Sequence, residues 1–133
     1  MAWCSLAVCL CCVSQGCSDK HDAYDTIPVT GLLTCEGKPV PNAVVSFRPV
    51  KAPDSRPGNP GRMALGETDE NGRFTLTTYE PGDGANIGTH VVMFEPKLVQ
   101  GAADTVGTQK FGCKGKTIEV EVKAGMEELN LEF

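Results

Sequence analysis

The chain has 133 residues, with 12 Lys and Arg against 17 Asp and Glu for a net charge of −5, and seven cysteines. That length leaves room for one domain, which on folding buries about two thirds of its unfolded surface, enough for an unaided core. Mild acidity with no basic stripe argues against nucleic acid as a partner.

The first 16 residues, MAWCSLAVCLCCVSQG, carry no Asp, Glu, Lys or Arg, so all the charge lies beyond them. A transmembrane helix needs about 20 apolar residues. The run Ala2 to Val13 is shorter and matches the apolar core of an export signal, with the small residues Ser14 and Gly16 preceding Cys17. Two readings of the junction stand side by side. The stretch Val13-Ser14-Gln15-Gly16-Cys17 resembles the lipobox of bacterial lipoproteins, which implies a diacylglycerol on Cys17 as the mature N-terminus. Ser-Gln-Gly is also a small-x-small site for ordinary signal peptidase cleavage after Gly16. Acylation would give stable membrane attachment, at about 0.8 kcal/mol per buried methylene. Ser18 to Thr26 (SDKHDAYDT) is polar and aperiodic, and is expected to be a flexible tether.

From Ile27 onward the hydrophobic period is two, the mark of half-buried strands, and no helical period is present. The first expected strand is Val29 to Cys35, with Val29, Gly31, Leu33 and Cys35 on one face. Ala43 to Arg48 follows, with Val45 and Phe47 inward, then Met63 to Thr68, then Arg73 to Thr78 with Phe74 and Leu76 inward. Thr89 to Phe94 comes next. In Thr117 to Lys123, Ile118, Val120 and Val122 alternate with charged residues, and Leu129, Leu131 and Phe133 repeat the pattern at the C-terminus. Glu36-Gly37-Lys38-Pro39 with Pro41-Asn42, and Asp69-Glu70-Asn71-Gly72, supply reversals from residues that accept turn geometry. Seven such strands predict an all-β, antiparallel β-sandwich. Connections 50–62, 79–88 and 95–116 are longer, and the last, at 22 residues, exceeds the usual loop length and is where specificity is expected.

Five cysteines, at positions 4, 9, 11, 12 and 17, sit in the leader or at its end, leaving Cys35 and Cys113 in the domain. An even pair in an exported chain suggests a disulfide. The alternative is a buried Cys35 and an exposed loop thiol at Cys113, since the sequence does not give their separation. Beyond the leader no CxxC, HxxH or His/Cys cluster suits a metal ion, so no metal or other cofactor is expected.

Val29-Thr30-Gly31, the run Gly37 to Phe47 (GKPVPNAVVSF) and the run Thr68 to Leu76 (TDENGRFTL) resemble the carboxypeptidase-regulatory-like family. Glu80 to Ala85 (EPGDGA) and the Gly88 to Phe94 strand are similar to its small bacterial lipoprotein branch. The resemblance spans about Ile27 to Phe133 and implies a seven-stranded, transthyretin-like sandwich of Greek-key type. Its motifs are turns and core positions, so they speak for fold and not for activity.

His90 shares a face with Val92 and Phe94, which favours a packed core histidine over a catalytic one, and no spacing supplies a Ser/His/Asp set. Asp69, Glu70 and Asn71 resemble part of a calcium loop but lack the later bidentate Glu, so a turn is expected. The transthyretin-like hydrolase of a purine-degradation intermediate has clustered His and Arg and a characteristic tail. Leu129 to Phe133 departs from that tail, and no catalytic residue is assigned. An intramolecular isopeptide would want a Lys in the first strand, which has none.

If seven strands alternate in direction, the reversals at 36–42 and 69–72 share one end with connection 95–116. The start of the first strand then shares the other end with 50–62, 79–88 and 124–128. The sequence-based expectation is a non-enzymatic structural or binding module in the cell envelope, held by lipid at Cys17, with envelope proteins or polysaccharide as partners. Carbohydrate binding is a rival reading, though the mature chain offers few aromatics. A secreted soluble protein is the alternative location.

Overall fold

The computed structural model describes residues 23–51, 57–97, 112–126 and 128–133. Every regular element among them is a strand: β1 (Thr26–Ile27), β2 (Thr30–Cys35), β3 (Lys38–Pro39), β4 (Ala43–Pro49), β5 (Ala64–Glu67), β6 (Arg73–Thr75), β7 (Ala85–Asn86), β8 (Gly88–Pro96), β9 (Ile118–Val122) and β10 (Glu128–Glu132). Each of the seven expected strands coincides with one of these. The additions β1, β3 and β7 are two residues long, too short to show a period.

The strands form three sheets. One runs β10-β2-β3, with β6 also paired to β2; a second runs β5-β4-β8-β9; β1 and β7 make a two-stranded ribbon. The β5 side of the second sheet meets the first through a bridge between Leu65 and Thr77. Pairing is antiparallel with one exception that corrects the expectation of a purely antiparallel arrangement. Strands β2 and β10 are parallel, with Thr30 opposite Glu128 and Thr34 opposite Glu132. This follows from the alternation itself. When seven strands reverse direction at each step, the first and last point the same way, so any contact between them is parallel.

Alternating side chains from both four-stranded sheets fill one hydrophobic cluster: Leu33 and Cys35 from β2, Val45 and Phe47 from β4, Phe74 from β6, Val92 and Phe94 from β8, Val122 from β9 and Leu131 from β10. Burying each large apolar side chain contributes about 1.5–3 kcal/mol. Phe47 meets Phe74 between the sheets at a centroid distance of 6.3 Å, and Phe94 meets Phe133 edge-on at 5.0 Å. Gly31 is what lets the Phe74 ring lie on β2. A Cβ there would fall 2.5 Å from the ring and 2.3 Å from the Leu129 carbonyl oxygen. Just before β7 of the ribbon, Gly84 has φ +90°, and a Cβ would fall 1.7 Å from the Ile27 carbonyl oxygen.

The reversals sort to the ends as alternation requires. At one end the Leu33 N–H donates to the Gly72 carbonyl and the Lys97 N–H to the Asn42 carbonyl, both at 2.8 Å. Residues 95–97 and 112–116, the described parts of the longest connection, sit at this end or lead from it. The other end gathers the start of the domain with residues 57–62 and 79–88. The tether expected to reach Thr26 is tied down earlier. The Tyr24 N–H donates to the Tyr79 hydroxyl at 3.2 Å, the Tyr24 hydroxyl donates to the Asn59 carbonyl at 2.6 Å, and Thr26 pairs with Asn86.

Candidate functional site

Cys17 lies outside the described residues. Cys35, the last residue of β2, and Cys113, just before β9, are bonded through their sulfur atoms with Cα atoms 5.9 Å apart. Both side chains are buried. The Phe133 carbonyl oxygen lies 3.0 Å from Cys113 Sγ, a packing contact because a bonded sulfur has no proton to donate. The bridge ties the described end of the 95–116 connection to the end of β2, the central strand of the first sheet, one residue before the β2–β3 reversal. In that reversal Glu36 and Gly37 both have positive φ, the geometry of a type I′ turn. Glu132 braces it: its carboxylate accepts from the Gly37 N–H at 2.9 Å and from the Thr34 hydroxyl. Those two donors hold the carboxyl below the usual range, against a small opposing push from desolvation.

His90 points into the core from β8, with Phe47 at 5.9 Å between ring centroids. Its Nδ1 lies 3.0 Å from the Gly88 carbonyl oxygen, which assigns the proton to Nδ1. Nε2 is buried without a hydrogen-bond partner. Burial pushes the imidazole pKa below 6.5, opposed by the Gly88 contact. A neutral ring without a carboxylate partner, sealed from solvent, can orient no nucleophile.

Asp69 is a turn residue. One carboxylate oxygen accepts from the Asn71 N–H at 2.8 Å and from the Arg73 N–H at 2.9 Å, so it is occupied by its own backbone. Among the described residues no group of three or more His, Cys, Asp or Glu side chains is placed to hold a metal ion. An open groove over β2 and β6 is lined by Thr30, Glu67, Asp69, Arg73 and Phe74. Its charged groups are already engaged: Arg73 with Glu128, Glu67 with Lys97, and Asp69 with the backbone.

The end where the domain begins carries a second polar assembly that the sequence did not reveal. Asp83 accepts from the N–H groups of Thr78 at 2.7 Å, Tyr79 at 2.9 Å and Glu80 at 3.1 Å. Desolvation raises its pKa, but these donors together outweigh that and hold it below 3.8. The turn so formed presents the Tyr79 ring to Arg62, whose guanidinium carbon lies 5.6 Å from the ring centroid. Asn86, buried beside them, donates to the Arg62 carbonyl at 3.5 Å while its Oδ1 has no partner. The spacing Thr78-x4-Asp83 was the signal for this turn. The long-range partners of Tyr24 and Asn86 had none.

The chain matches no family model, no curated protein and no solved structure.

Proposed function

We propose that this is an exported cell-envelope protein, anchored by lipid at Cys17, whose domain is a seven-stranded sandwich of the transthyretin-like, carboxypeptidase-regulatory-like kind. It acts as a structural or binding module and not as an enzyme. The observation that carries the reading is the buried Cys35–Cys113 disulfide, because such bonds persist in oxidising compartments. An apolar, uncharged leader supplies the route there. The two four-stranded sheets over one core support the sandwich, and the engaged state of the charged groups in the groove supports a non-catalytic role.

The binding surface in this reading is the end opposite the start of the domain, where the 95–116 connection leaves and returns. Intact-mass measurement of the protein isolated from the envelope tests the anchor. An acylated Cys17 is expected, and a free N-terminal Cys17 or a retained leader overturns it. Recovery of the protein with reduced Cys35 and Cys113 would overturn export. Pull-down of envelope partners, with residues 98–111 replaced by a short Gly/Ser linker, tests the surface, since an unchanged partner set would exclude that connection.

A further inference from the structure

Three of the four large apolar side chains that are most exposed among the described residues lie at the end where the domain begins: Val50 at 47%, Met63 at 47% and Ile87 at 50%. Backbone pairing brings their segments together. Pro49 is opposite His90, the Val50 N–H donates to the Thr89 carbonyl at 3.1 Å, and Ile87 is the residue between β7 and β8. Met63 follows Arg62, whose carbonyl is held by Asn86, the neighbour of Ile87. The three side chains therefore rim one end of the molecule. Exposed Arg48, Lys51 and Arg62 lie among them in a chain whose net charge is −5; of the acids at this end, Asp83 is held by its own turn, Glu121 is paired with Lys123, and Asp25 and Glu80 are exposed. Exposed apolar groups clustered with cations are the composition of an anionic lipid contact.

The position of the chain outside the structure points to the same occupant. Tyr24 is pinned at this end by Tyr79 and Asn59, and Cys17 lies seven residues before it. Even fully extended, that stretch reaches no more than about 25 Å. An anchor at Cys17 therefore holds this rim within reach of the membrane.

We propose that the Val50–Met63–Ile87 rim, with Arg48, Lys51 and Arg62, docks on an anionic lipid surface and fixes the domain upright with its opposite end outward. This rests on the anchor at Cys17, and the two are tested separately. Intact mass reports the anchor. For docking, single cysteines replace Met63, Ile87 or, as a control at the far end, Asn71, and each carries a nitroxide in the whole mature protein with its native disulfide intact. On reconstitution into vesicles of zwitterionic and anionic phospholipid, collision with a water-soluble relaxing agent should fall at least about threefold at 63 and 87 and stay unchanged at 71. Equal accessibility at both ends overturns docking even when Cys17 is acylated. If Cys17 proves unmodified, the same positions are labelled in protein carrying Cys17→Ser, which is then added to the vesicles. Protection at 63 and 87 then sustains docking without the anchor, and its absence overturns it. Protection in whole envelopes but not in lipid vesicles assigns the rim to a protein partner and overturns the proposal. Amide exchange at residues 51 and 87 of the unsubstituted protein gives the same comparison without labels.

Discussion

His90 and Gly31 show how single positions constrain this domain. With its folded pKa below 6.5, the imidazole is neutral in the folded state, so the unfolded chain is the first to take up a proton as the pH falls. Stability contributed by the neutral ring is complete above about 6.5 and is lost on acidification until the pH passes the folded value. Thermal unfolding from pH 7.5 to 5 should therefore show a falling Tm that His90→Leu flattens, and an unchanged slope would exonerate this ring. At Gly31 the added methyl group of Gly31→Ala must displace the Leu129 backbone or the Phe74 ring. Overpacking of this kind costs about 1–3 kcal/mol, measurable as a lower urea midpoint. Gly31 was legible in the sequence only as an inward position of a strand. What makes a side chain intolerable there is a strand that arrives nearly a hundred residues later.

At the level of elements, the 78–84 turn and β10 carry the clearest consequences. Asp83→Asn leaves one acceptor oxygen where the carboxylate has two serving three N–H groups, and should cost about 1–2 kcal/mol by urea titration. Acid should remove the same contribution only as the pH falls below 3.8 and through the lowered Asp83 pKa, whereas loss of the His90 contribution begins near 6.5. In β10, Leu131 is buried against the core, and Leu131→Ala should cost about 2–5 kcal/mol. The long strands were legible because each exposes one face and buries the other, so Ile118, Val120 and Val122, or Val45 and Phe47, declare themselves at period two. The ribbon of β1 and β7 was not legible, since two residues carry no period. Tyr24, placed in a polar run, gave no sign that its hydroxyl and amide are both spoken for. The pairing of Cys35 with Cys113 stood open between two readings because chain separation says nothing about distance in space.

For the molecule as a whole, the disulfide closes a loop between residues 78 positions apart, and losing such a link costs about 2–5 kcal/mol. Replacing both Cys35 and Cys113 with Ser should lower the urea midpoint accordingly, and a midpoint unchanged from that of the oxidised protein would mean the crosslink is dispensable. The parallel pairing of β2 with β10 bears on assembly over time. A ribosome makes residues 30–35 early, yet one flank of that strand stays unoccupied until residues 128–132 appear. The first sheet can therefore not be completed until residues 128–132 have been made. In the interval β2 offers an unpaired edge of the sort that invites mispairing with other chains. Closure of this sheet thus waits on residues 128–132, and a chain stopped before them would leave that edge permanently open.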